Sequence, residues 1–123
     1  MPALTYNFEI EQGSTFNRSF KWVDAKGIPR LLTNWTALSQ WRLGYGQPVI
    51  LTMSTQNGRI KLVESTISII LDAQVTKDLD LPIIDSKKPP KQTYFYDLWL
   101  FSSDNKAIRF MKGVFSVSGV ITK

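Results

Sequence analysis

Thr93-Tyr94-Phe95-Tyr96-Asp97-Leu98-Trp99-Leu100-Phe101 is the stretch on which the fold turns. It is rich in aromatics and free of glycine and proline, the composition of a strand rather than a loop. Successive side chains of a strand point to opposite faces. If Tyr94, Tyr96, Leu98 and Leu100 face a core, then Phe95, Asp97, Trp99 and Phe101 face away from it. Three outward aromatics on one strand make an apolar patch of the kind that marks an interface. The alternative is a strand buried on both faces, or covered by the long connection before it. In either case Asp97 needs a partner.

The same period of two recurs on both sides of this stretch. Tyr6, Phe8 and Ile10 oppose Asn7, Glu9 and Glu11; Phe16, Phe20 and Trp22 oppose Asn17, Ser19 and Lys21. Arg18 falls on the apolar side, which suits a strand edge where its head reaches water. Asp24-Ala25-Lys26-Gly27-Ile28-Pro29 is a turn by its chemistry, and a strand is expected over 36–43. Gly44-Tyr45-Gly46-Gln47-Pro48 breaks that strand, and Val49, Leu51 and Met53 alternate after it. Asn57-Gly58 between apolar runs predicts a hairpin with a short return strand through Ile60 and Leu62. Residues 66–71 read as another strand. Residues 72–79 read as one short helical turn, capped by Asp72, with Val75 and Leu79 on one side. A proline- and lysine-rich connection over 80–92 leads to the aromatic strand. The last strand covers 107–120; its apolar phase slips over 110–113, where Gly113 is expected to mark a bulge.

About eight short strands with hardly any helix predict an all-β fold. The expected architecture is a single antiparallel, immunoglobulin-like β-sandwich spanning residues 1–123. A parallel α/β fold is excluded, because crossover helices are missing.

Composition narrows the chemistry. At 123 residues, with 12% aromatic and 43% hydrophobic content, the chain can build a core without staples. Cysteine and histidine are both absent, which removes thiol nucleophiles, disulfides, Cys/His zinc sites and the imidazole base. The ten acidic residues are scattered over turns, caps and solvated faces, so no paired acid–base site is expected. No phosphate loop or calcium loop occurs. No cofactor, metal or enzymatic activity is expected. A formal charge of +5 permits an acidic partner without requiring one. No window approaches the roughly 18 apolar residues of a membrane span. Met1-Pro2-Ala3-Leu4 lacks the layout of a signal peptide, so synthesis in a host cytoplasm without processing is expected.

Several segments carry a resemblance by their serial order. They are Phe8-Glu9-Ile10-Glu11-Gln12-Gly13-Ser14-Thr15-Phe16, Trp22-Val23-Asp24-Ala25-Lys26-Gly27-Ile28-Pro29 and Leu32-Thr33-Asn34-Trp35-Thr36-Ala37. Thr55-Gln56-Asn57-Gly58-Arg59-Ile60, Tyr96-Asp97-Leu98 and Gly113-Val114-Phe115-Ser116-Val117-Ser118 complete the series. Over nearly its whole length the chain resembles small tailed-phage and prophage virion proteins. More loosely, it resembles the N-terminal sandwich domain of phage upper baseplate proteins. The resemblance implies a structural role in the particle and transfers no catalytic residues. The chain departs from the pattern in the 80–92 connection and at Trp99.

The expected function is therefore a structural virion component that docks on neighbouring subunits by sheet-edge and loop contacts. A tail or baseplate position is favoured, and a head decoration or cement protein is the second position. Partners are other virion proteins, with multiple copies or a homo-oligomer expected; no membrane is involved. Interface candidates are Phe95, Trp99 and Phe101 on the aromatic strand, Lys87, Lys88 and Lys91 in the connection, and Tyr45 in the Gly44-Tyr45-Gly46 loop. The lysines also have a plainer reading, as solvated charges that discourage edge pairing. Other classes are a nucleic-acid-binding β-barrel, against which the basic residues are too scattered, and a carbohydrate-binding module.

Overall fold

The computed structural model describes residues 4–120. Residues 1–3, where a signal peptide was not expected, lie outside the described residues. The fold is an all-β sandwich of two sheets with one short helix. The larger sheet runs β1-β9-β8-β4-β5, with β2 also on β9; the smaller runs β3-β7-β6. In chain order the strands are β1 (Leu4–Thr5), β2 (Phe8–Glu11), β3 (Phe16–Lys21), β4 (Thr36–Arg42) and β5 (Val49–Ser54). Then come β6 (Ile60–Val63), β7 (Thr66–Leu71), helix α1 (Ala73–Lys77), β8 (Lys91–Phe101) and β9 (Ala107–Ser118).

The alternation in β8 sets the layers. Tyr94, Tyr96, Leu98 and Leu100 are buried, and the intervening residues lie on the other face. Across the core, β7 turns Ile67, Ile69 and Leu71 inward. The centre is a stack of rings. Phe115 lies 4.2 Å from Trp41 and 4.6 Å from Phe8, both stacked, and Tyr96 meets it edge-on at 4.7 Å. Each such pair contributes about 0.5–1.5 kcal/mol beyond its buried area. Phe16 of β3 carries the stack across to the smaller sheet, meeting Phe8 edge-on at 5.5 Å and Phe115 at 5.8 Å.

Three expectations need correction. The strand expected around residues 6–11 is two strands, giving nine among the described residues, and both run parallel to β9 rather than antiparallel. The break falls at Tyr6–Asn7. There the Asn7 side chain, not its backbone, takes the Val114 N–H at 3.1 Å, while Tyr6 N–H still reaches Lys112 O at 2.8 Å. Second, Asn57-Gly58 does not close a hairpin. A type I′ turn needs positive φ at both central residues, and only Gly58 has it. β5 pairs with β4 and β6 with β7, so this turn carries the chain from one sheet to the other. Third, the bulge in β9 lies at Phe110, where the register with β8 slips. Gly113 answers a different need: a Cβ there would lie 2.1 Å from Tyr6 O.

The helical turn forms as its sequence predicts. Asp72 caps it by accepting from Val75 N–H at 3.0 Å. Thr76 points inward and accepts from Gly13 N–H at 3.0 Å, and Gln12 donates to Lys77 O and Leu79 O at 3.1 and 2.7 Å. These bonds fix the 72–90 connection over one end of the sandwich, where Leu79 and Leu81 join the core. The connection therefore closes that end and leaves the outer face of β8 open.

Candidate docking face

The outer surface of the larger sheet is laid out in rows by the ladder register, since paired residues share a face. Through Phe95 the row reads Arg42, Phe95, Val114. Through Asp97 it reads Gln40, Asp97, Lys112, and through Trp99 it reads Leu38, Trp99, Arg109. Thr93 and Lys91 begin two further rows, continued on β9 by Ser116 and Ser118 and on β2 by Glu9 and Glu11.

Phe95, Trp99 and Phe101 thus stand on one face, as the alternation predicts. Phe95 is 45% exposed, and Trp99 and Phe101 are half-buried and stack on each other at 6.4 Å. Tyr45 joins them from the loop between β4 and β5. It is 97% exposed, and its ring lies 6.3 Å from that of Phe95. Arg42 holds this loop in place by donating to Gln47 O and, at 3.2 Å, to Gln40 Oε1. Between the loop and β9 runs a groove of about 480 Å³, and a second hollow of about 500 Å³ adjoins it over Trp99 and Phe101.

Among the described residues no two charged groups on this face form an ion pair with each other. Among the described residues the only ion pair is Lys106–Asp104, at 3.9 Å and fully solvated. Asp97, expected to need a partner, sits in register with Lys112 but makes no ion pair, and Arg109 makes none.

The lysines of the connection do not join the aromatic cluster. Lys91 lies at the far end of the same face, in a groove of about 530 Å³ with Glu9, Glu11 and Arg18. Lys87 and Lys88 sit in a turn organised by Asp85, whose carboxylate accepts from Lys87 N–H at 3.0 Å. Sequence reasoning missed three basic participants, Arg42, Arg109 and Lys112; their places follow from strand pairing, which alternation alone does not reveal. Among the described residues no three acidic side chains come close enough to hold a metal ion. No protein-family model matches the chain, and a search of curated proteins finds no match.

Proposed function

We propose that this protein is a structural component of a tailed-phage virion that docks on neighbouring subunits through the outer face of its larger sheet. A tail or baseplate position is favoured, with head decoration or cement as the other position, and no catalysis or cofactor is assigned. The observation that carries the reading is the line of aromatics along the outer face of β8, exposed Phe95 with half-buried Trp99 and Phe101, in the middle of a broad sheet. A surface of this kind is stable when another protein covers it.

The strand order supports an immunoglobulin-like plan. With β3, β7 and β6 facing β2, β9, β8, β4 and β5, the sheets follow strands B-E-D and A′-G-F-C-C′ of that fold. Fully buried Trp41 lies on the C-equivalent strand, and the hydroxyl of Tyr94, early in the F-equivalent, reaches Asp80 O at 3.4 Å.

The sheet edges favour face docking over the edge docking expected from sequence. β2 presents Glu9 and Glu11, and β3 presents Lys21 and Arg18, the latter lying 5.9 Å over the Phe16 ring. On β5, Thr52 O accepts from Asn57 and Arg59 at 2.9 Å each, and Ser54 N–H donates to Asn57 Oδ1 at 3.0 Å. β6 has four residues and carries Lys61. Charges, capped backbone and short strands all discourage strand addition.

Antibody detection in gradient-purified particles tests the reading. The protein is expected to sediment with infectious tailed particles, and recovery solely from the soluble lysate would overturn it.

A further inference from the structure

Among the described residues no charged group of the outer face makes an ion pair within the chain, and four of them, Glu9, Glu11, Arg109 and Lys112, match those of a second copy. The Phe95–Val114 row provides the centre. One row to one side is Thr93–Ser116, extended by Glu9; one row to the other is Asp97–Lys112. Two rows out are Lys91–Ser118, extended by Glu11, and Trp99–Arg109. Glu9 and Lys112, and Glu11 and Arg109, therefore lie at equal steps on opposite sides of the same row, on the β2–β9 flank of the sheet.

We infer that the protein forms a symmetric dimer, outer face to outer face, about a two-fold axis running across the strands at Phe95. This rests on the docking reading above and names the neighbour. A rotation about that axis exchanges rows on either side and keeps each strand over its own counterpart, as an isologous contact requires. Glu9 of each copy then comes level with Lys112 of the other, one strand across from it (β2 beside β9), and Glu11 comes level with Arg109 in the same way. Lys91 falls over the other copy's Trp99, a cation over an indole. Phe95 lies on the axis row and meets its own counterpart, and Tyr45, its ring 6.3 Å from that of Phe95, gains cover beside it. Arg42, also on that row, has its guanidinium turned onto its own loop by Gln47 and Gln40. Over the whole face, Glu9, Glu11 and Asp97 stand against Arg42, Lys91, Arg109 and Lys112, a near balance of signs. A nucleic acid would instead set its phosphates against the three carboxylates.

Sedimentation equilibrium of the isolated protein, with a charge-swap pair, tests this. Glu9, Glu11, Arg109 and Lys112 are all exposed, so reversing them leaves the monomer folded, as circular dichroism would verify. Wild type is expected to dimerise. The acid-reversed variant (Glu9→Lys with Glu11→Lys) and the base-reversed variant (Arg109→Glu with Lys112→Glu) should each dimerise at least about tenfold more weakly. An equimolar mixture of the two should recover wild-type association, because both crossed contacts become complementary. A wild type that stays monomeric into the millimolar range would overturn the dimer, as would variants that dimerise normally or a mixture that fails to recover. Presence of a monomeric protein in particles would leave the virion reading intact and remove only this neighbour.

Discussion

The Tyr96 hydroxyl donates to the backbone carbonyl of Tyr6 at 2.7 Å, tying the middle of β8 to the joint between β1 and β2. The two residues are separated by 90 positions, and the bond starts inside the core. It fastens the first strands where their own ladder is interrupted. Replacing Tyr96 with Phe keeps the ring and removes the donor. Urea unfolding should show a loss of about 1–3 kcal/mol, the range for a bond whose partner is left unsatisfied. An unchanged midpoint would show that water replaces the hydroxyl.

The same phenol makes the fold sensitive to alkali. Burial, and then the neighbouring Tyr6, push the Tyr96 group well above its ordinary value; burial, and then Asp80, raise Tyr94. A group raised in the folded state contributes its full stability below the unfolded value, about pH 10 for tyrosine. That contribution is lost as pH climbs from there toward the folded value. Unfolding midpoints should therefore hold up to about pH 9 and fall steeply above about pH 10. The fall should be shallower in Tyr96→Phe.

Gly113→Ala should be far more damaging than its size suggests. Its Cβ would sit 2.1 Å from Tyr6 O and 2.8 Å from Asn7 Oδ1, so the first strands must move away. A loss of about 1–3 kcal/mol is expected, as for overpacking. Hydrogen exchange should localise it to residues 4–11 and the facing amides of β9.

Trp99→Asp separates folding from docking. Trp99 is half-buried and leans on Phe101, so the isolated protein should lose only about 1 kcal/mol. Incorporation into particles, followed by immunoblot after expression from a plasmid, should fall to background. Normal incorporation would move the docking surface elsewhere.

Arg59→Ala and Asn57→Ala uncap the edge of β5. Both side chains hold Thr52 O, and Asn57 also holds Ser54 N–H. Each change should reduce stability by about 1 kcal/mol. Their combination should cause concentration-dependent aggregation in light scattering, because an uncharged strand edge becomes free to pair.

Alternation carried most of the fold, because burial on one face imposes a period of two regardless of which strands pair. The faces of β8, the inward run of β7 and the Asp72 cap were all legible for that reason. Partner choice was not. Nothing local in Tyr6–Glu11 says that β9 is its neighbour or that the pairing is parallel. The Asn57-Gly58 signal misled because Asn57 binds its own neighbours in place of adopting a left-handed conformation. At the candidate face, Phe95, Trp99 and Phe101 were readable from one strand. Their meeting with Tyr45, and the ring of Arg42, Arg109 and Lys112, depends on three strands arriving from distant parts of the chain. Lys87 and Lys88 were singled out by their density, and density does not say which end of the sandwich a loop will occupy.

The parallel run of β2 alongside β9 has a mechanical meaning. Tension applied at the start of β2 and the end of β9 pulls parallel strands from opposite ends, so it slides them lengthwise past each other. All four registered residue pairs from Phe8 to Glu11 then bear the load together, whereas an antiparallel hairpin would unzip one bond at a time. A part strung between moving neighbours in that direction resists being drawn out.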